Sequence, residues 1–351
     1  MTDWKVVAED NAQLSDVVDF ACPEVEPGKI DFETKSFSEA NAHEFSRLSF
    51  LTYKTRRHID AEAKTPGLNV DFIRDAQTDT EVYVLSNKDS VIVDFRGSDP
   101  KRIGDVWTDL QLIPMPPWFW GKTHSGFMKA YRRITQPRGA NYNDRDLFTV
   151  LSENGFDSGL WDLVPAPGMA KPPVGDSNYH APKKKLFITG NSLGGALALL
   201  LAADLTHREL YFRNLLADDD CSKATGSAEM VTGVYAFGTP RVGDPEWATC
   251  YDHVLGDRTF RVVSRNDLVA EIPTANYLHV GQHWALDIDG NLAIKASDKK
   301  PNSFFTVMLK RVGKLVTGDL VKAIGEHLNY VQPIQHKMNQ KCPQFSPWTK
   351  K

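Results

Sequence analysis

The stretch KKKLFITGNSLGGALALLLAADL, Lys183–Leu205, changes its pattern of apolar residues at a single serine, Ser192. Before the break, Leu186, Phe187, Ile188 and Thr189 form a short β-branched and aromatic run of the kind that fills a buried strand. After it the chain is rich in alanine and leucine. These strong helix formers are apolar nearly all round, which predicts a helix covered on most sides. Gly190-Asn191-Ser192-Leu193-Gly194 is therefore a sharp strand-to-helix turn with the serine at its apex. Glycines two residues to either side let strand and helix approach closely, and the hydroxyl falls at a helix N-terminus, where unpaired N–H groups favour an oxyanion. The bare spacing would also suit a turn that only joins two elements; the strand before it and the helix after it make Ser192 a candidate nucleophile.

Outward from the elbow, the pattern indicates an α/β protein with a mostly parallel central sheet and helices on both faces. Ala40, Phe45, Leu48 and Leu51 recur at helical spacing within Ser38–Lys54, with Ser36 or Ser38 as cap. Glu81–Leu85 and Val91–Phe95 read as strands around a polar turn, and a helix is expected near Asp144–Asn154. Beyond the elbow helix, VTGVYAFG (231–238) and TFRVVS (259–264) read as strands. HWALDIDGN follows, with Asp289-Gly290 as a hairpin tip, and a last helix is expected within Asp319–Tyr330. Residues 1–35 read as a weakly structured extension, 36–331 as the folded domain and 332–351 as a peripheral tail.

Composition narrows the possibilities. The chain has 351 residues and a net charge of -4, with an isoelectric point near 6.2, so nothing in its bulk electrostatics favours nucleic acid. No apolar run approaches the ~20 residues of a membrane span, and the acidic N-terminus does not resemble a secretory signal. The default expectation is a soluble cytoplasmic protein, with a trimmed mature form or another route of secretion left open. Cys22, Cys221, Cys250 and Cys342 are widely spaced and show no zinc-type grouping; their even number permits disulfides without arguing for them. No motif calls for a metal, a nucleotide or another cofactor.

A serine hydroxyl needs a histidine to take its proton, and usually a carboxylate to hold that histidine's tautomer. For a serine on such an elbow the chain order is Ser, then Asp or Glu, then His. Asp267 follows the strand of TFRVVSRNDLVAEIP and so stands at the sheet's carboxyl edge, beside the elbow; a turn aspartate bonding its own backbone is the alternative. His207 and His253 come too early. His279, His283, His327 and His336 remain, with His327, in GEHLNYV near the end of the domain, the better candidate over His279. An oxyanion would be received by the N–H of Leu193 and by a second donor from an early loop. VIVDFRGSD supplies that loop, with Ser98 able to offer both N–H and hydroxyl.

The blocks FRGSD (95–99), HSGFMKAY (124–131), ITGNSLGGALALLLA (188–202), YAFGTPRVGD (235–244), RVVSRNDLVAEIP (261–273), LHVGQHWALDIDG (278–290) and EHLNYV (326–331) together resemble, in order, the class 3 or fungal-type lipases of the α/β-hydrolase fold. The resemblance covers roughly residues 36–331. It implies a Ser192, Asp267, His327 triad, an oxyanion hole at Ser98 and Leu193, and His279 and His124 in non-catalytic places. It implies cleavage of carboxylic esters, acylglycerols above all, without a cofactor; carboxylesterase, feruloyl-type esterase and phospholipase A1 activities share the scaffold, and an inactive binding module is a more distant reading. Asn191 stands where family members usually have histidine, and Ala270 where proline is common. A family lid maps to about 99–122. Its adjacent Trp118, Phe119 and Trp120 cannot all face one core, so they either present an apolar edge to a lipid interface or pack over the sheet edge.

Overall fold

The computed structural model describes residues 30–54, 56–64, 67–98, 114–117, 119–136, 145–159, 179–216, 220–224, 228–264, 267, 269–273, 276–287, 289–295, 327 and 330. Two helices open this part of the chain, α1 (Glu39–Leu51) and α2 (Arg56–Lys64), followed by strands β1 (Asn69–Asp75), β2 (Thr80–Ser86) and β3 (Ser90–Phe95). Short β4 (Pro114–Met115) and β5 (Thr123–His124) form a separate pair, and helices α3 (Ser125–Thr135) and α4 (Leu147–Glu153) come next. Then come β6 (Lys185–Asn191), α5 (Leu193–Phe212), β7 (Gly233–Phe237), α6 (Pro245–Leu255), β8 (Thr259–Ser264) and the hairpin β9 (Gln282–Leu286) and β10 (Leu292–Lys295).

The main sheet of the described residues has eight strands in the order β1-β2-β3-β6-β7-β8-β9-β10. From β3 to β9 neighbours run parallel, while β1-β2, β2-β3 and β9-β10 are antiparallel. The crossover from β6 through α5 to β7 is the unit that the opening stretch predicts, and α5 packs on β3, β6 and β7.

Alternation along the strands divides the core in two. Val82, Val84, Val91, Val93, Leu186, Ile188 and Val234 face a cluster with the alanines and leucines of α5 and with residues of α3, α4 and α6. Tyr83, Leu85, Ile92, Phe187, Tyr235, Phe237, Phe260 and Val262 face α1 and α2. A period of two sends successive side chains to opposite faces, so strands buried on both faces are continuously apolar.

Several local predictions hold in detail. Ser38, rather than Ser36, caps α1, its hydroxyl accepting from Asn41 N–H at 3.3 Å. The helix expected near Asp144–Asn154 is α4, and Asp289-Gly290 lies in the loop joining β9 to β10. Other elements are additions. β1 escapes the sequence reading because it is an edge strand, part-exposed and interrupted by Asp71 and Arg74. Helix α3 begins without a Ser, Thr, Asp or Asn cap; its cap is His124, whose Nδ1 accepts from Gly126 N–H at 3.2 Å.

The boundary at residue 35 also moves. Ile30 and Phe32 already pack against the α1-side cluster, and Asp31 N–H donates to Asn41 Oδ1 at 2.7 Å. Apolar side chains that find a sheet to cover are not an extension, however many acidic neighbours they have. Of the last expected helix, only His327 and Tyr330 lie among the described residues.

Candidate active site

Strand β6 delivers Ser192 to the sheet's carboxyl edge, and the serine's backbone sits at φ 58° and ψ −126°, a conformation that non-glycine residues rarely adopt. Two interactions hold it there: Ser192 N–H donates to Phe237 O at 2.9 Å, and Ser192 O accepts from Ala196 N–H at 3.3 Å. Close approach explains the flanking glycine on the helix side: a Cβ on Gly194 would lie 2.0 Å from Phe95 O, inside the main chain of β3. The serine is buried and the next residue, Leu193, half-buried.

The loop after β3 reaches the same place. An added Cβ on Gly97 would fall 2.6 Å from Asn191 O and 3.1 Å from Ser192 Cβ, so half-buried Ser98 follows a residue in direct contact with the elbow.

Asp267 lies just beyond β8 and His327 near the end of the domain, 60 residues later, yet His327 Nδ1 and Asp267 Oδ2 are 2.8 Å apart with both side chains buried. The other carboxylate oxygen accepts from Val269 N–H at 2.8 Å. With the ring proton on Nδ1 facing a carboxylate, Nε2 carries the lone pair; that nitrogen is buried and has no hydrogen-bond partner. His327 O accepts from the side-chain amide of Asn191, the residue before the serine, at 3.2 Å.

Two further residues escape the sequence reading. Tyr330 donates its hydroxyl to Asp267 Oδ2 at 2.5 Å and accepts Ser264 N–H at 3.0 Å, joining the carboxylate to the end of β8. Its place three residues after His327 was the available signal, but a tyrosine near a domain end has no distinguishing pattern. Gly238, at φ +53°, ends β7 directly beneath the pair; a Cβ there would lie 2.3 Å from Asp267 Oδ2 and 2.8 Å from His327 Nδ1. Only a residue without a side chain leaves room for that contact.

The other histidines stand elsewhere. His279 Nε2 bonds Ala270 O at 2.6 Å, and burial, with Arg261 and Arg241 nearby, holds its imidazole well below the usual range, hence neutral. His124 caps α3, and burial lowers it to about 4. His207, on α5, is packed among the rings of Phe119, Trp120 and Tyr211. His336 lies outside the described residues. Among the described residues no group of three or more His, Cys, Asp or Glu is arranged to hold a metal ion.

Residues 92–277, more than half of the chain, match the family model described as Lipase (class 3). The chain belongs to the class 3 lipase family. Among curated relatives, the triacylglycerol lipase OBL1 of Arabidopsis thaliana is 28% identical over 229 residues, covering 60% of this chain and 40% of that protein. The lipase of Rhizomucor miehei is 29% identical over 264 residues, covering 68% of this chain and 59% of its own length. This family member thus spans 40% and 59% of these two relatives. The solved Rhizomucor miehei lipase propeptide complex superposes with a TM-score of 0.54 at 20% identity, over 95% of this chain and 94% of that one, which establishes the α/β-hydrolase fold.

Of the two arrangements open to the lid aromatics of this lipase-family chain, the structure takes the packed one at Phe119 and Trp120. Phe119 and Trp120 do not form an exposed apolar edge: both are buried, their rings against His207 of the elbow helix. Packing in the α5-side cluster removes their apolar surface from water, so burial is the lower-energy arrangement. Trp118 and residues 99–113 of the expected lid lie outside the described residues. The cytoplasmic default, by contrast, is not supported. Cys221 and Cys250 are joined in a disulfide, a bond that persists in oxidising compartments and is rare in the reducing cytosol. No helix of the described residues is long and apolar enough to cross a membrane.

Proposed function

We propose that this protein hydrolyses carboxylic esters, with acylglycerols as its substrate class, through Ser192, His327 and Asp267. The observation that carries this reading is the buried His327–Asp267 hydrogen bond at 2.8 Å, which leaves the other ring nitrogen unpartnered while His327 is itself bonded to the residue preceding the elbow serine.

On this reading the Ser192 hydroxyl attacks the ester carbonyl and passes its proton to His327 Nε2, while Asp267 orients the ring and stabilises the imidazolium. The negative oxygen of the tetrahedral intermediate is received by the N–H of Leu193 and by Ser98. Each such donor is typically worth roughly 3 kcal/mol in the transition state. His327 returns its proton to the departing alcohol, leaving Ser192 acylated. Water, deprotonated by the same histidine, then releases the acid. The strained backbone of Ser192 supports the assignment, since a hydroxyl set at the apex of a strand-to-helix turn, at a helix N-terminus, is what the elbow achieves at that cost. The disulfide supports a protein that works in an oxidising compartment.

The test is hydrolysis of p-nitrophenyl esters from acetate to palmitate, below and above substrate solubility, with Ser192→Ala in parallel. Turnover by the parent is expected to exceed that of the variant by about 10⁴-fold or more, with unchanged circular dichroism. Retained activity in purified Ser192→Ala would overturn the assignment. A preference for long chains that rises once substrate forms an interface supports an acylglycerol substrate; activity confined to short soluble esters removes it.

A further inference from the structure

Thr189 and Asn191 share the strand parity of Phe187, so both point away from α5 and toward α1. There Ser49, in the last turn of α1, and Tyr53, just beyond the helix, meet them in turn. Ser49 Oγ lies 3.2 Å from Thr189 Oγ1, and Tyr53 donates its hydroxyl to Asn191 Oδ1 at 2.9 Å. The amide nitrogen of Asn191 donates to Phe237 O at 3.3 Å and to His327 O at 3.2 Å. The side chain is buried and all of these bonds come from one planar group. Turning the amide over would set its oxygen against two carbonyls, so the network determines its orientation.

We infer that Asn191 is a positioning residue that ties the main chain of His327 to the nucleophile elbow, with Tyr53 holding the amide in register. His327 is then fixed at two points: its carbonyl by Asn191 and its Nδ1 by Asp267. With both ends held, the ring has one direction in which to present Nε2. The elbow side chain thereby couples a histidine 136 residues away in sequence to the residue beside Ser192. An imidazole at the same position would offer one acceptor for Tyr53 and one donor for a carbonyl, whereas the amide offers one acceptor and two donors.

This inference rests on the proposed esterase reading, and two measurements separate them. Asn191→Leu matches the size of the side chain and removes every hydrogen bond; Asn191→His restores one of each kind. With a soluble short-chain ester, Asn191→Leu is expected to lower kcat about tenfold or more with KM within about twofold, Asn191→His to recover most of the loss, and Tyr53→Phe to cost a few-fold. The downfield proton resonance of His327 Nδ1, assigned by its loss in His327→Gln, reports the histidine's placement without reference to turnover. It is expected to broaden or shift in Asn191→Leu and to return in Asn191→His. An unchanged resonance in Asn191→Leu overturns the tie whether or not the protein is an esterase, as does a loss of kcat that histidine fails to restore. Absence of fluorophosphonate labelling at Ser192 in the parent protein counts against the esterase reading alone, and the resonance still decides the tie.

Discussion

The two faces of the sheet are built differently. On the α5 face, the valines and leucines of β2, β3 and β6 interlock with the alanines and leucines of the helix. On the α1 face, a polar seam runs through aromatic packing: Asp94 accepts from Ser49 at 3.0 Å, Ser49 meets Thr189, and Tyr53 meets Asn191 at the elbow. Both faces are buried, and among the described residues it is the second that puts side-chain hydrogen bonds on Asn191, beside Ser192. The apolar face fixes the distance between helix and sheet; the polar seam fixes which way individual groups point. Burial is non-directional and hydrogen bonds are not, so the two kinds of packing suit those two tasks.

This contrast can be broken, first on the apolar face. Gly194→Ala places a methyl 2.0 Å from the Phe95 carbonyl at the closest contact of α5 with β3. A clash with backbone cannot be relieved by a rotamer change, so a loss of more than about 3 kcal/mol, or failure to yield soluble protein, is expected in urea unfolding. A near-parental midpoint would show that α5 is free to slide, and that this face does not set the spacing.

The disulfide belongs to the same side of the molecule, Cys221 and Cys250 both lying in the α5-face cluster. It closes a loop of sequence separation 29, for which chain entropy gives a stabilisation of about 3.6 kcal/mol. Cys221→Ser with Cys250→Ser is expected to lower the unfolding free energy by that order while leaving ester turnover at low temperature unchanged. A large loss of turnover in protein that remains folded would mean that this face also orients the site.

The smallest effect is expected from the polar seam, and it depends on pH. Burial pushes the Asp94 carboxyl up to about 7. An unfolded aspartate titrates near 3.9, so between about pH 4 and 7 the folded state binds the extra proton and this group's contribution to stability falls as pH rises. Asp94→Asn, which does not titrate, is expected to be more stable than the parent at pH 8 in urea unfolding, with the advantage shrinking as pH falls and vanishing near pH 4. Burial lowers His43, His124 and His279, so these three cost stability as pH falls below about 6.5. They are common to both proteins and cancel in the comparison. A pH-independent difference would show that Asp94 is charged throughout and that the seam tolerates a buried carboxylate.

Much of this arrangement was legible in the chain. The strand-to-helix change at Ser192 and the alternating strands are read from periodicity, because the sheet and helix that bury them repeat at fixed intervals. Asp267 was reachable because a carboxylate just past a parallel strand has to emerge at the sheet's carboxyl edge. Chain order set aside only His207 and His253; His327 was preferred to His279 for its place near the end of the domain and by family resemblance, not by any local property of either histidine. Tyr330, Gly238 and the Tyr53–Asn191 pair were not legible. Each acts on a partner far along the chain, and nothing in a residue's neighbours records what a distant strand will bring beside it. Phe119 and Trp120 illustrate the same gap: three aromatics in a row announce apolar surface without saying which core will cover them.

The sequence by itself determined that this is an α/β chain with a serine at a sharp elbow, because hydrophobic period and helix propensity are local and are written in consecutive residues. It also determined the order of Ser192, Asp267 and His327. Only the tertiary structure decided that His327 meets Asp267 at 2.8 Å, that Tyr330 braces the carboxylate, and that Asn191 reaches the main chain of His327. A hydrogen bond is made or lost over a few tenths of an ångström, and distances that fine exist only once both layers of helices have closed on the sheet.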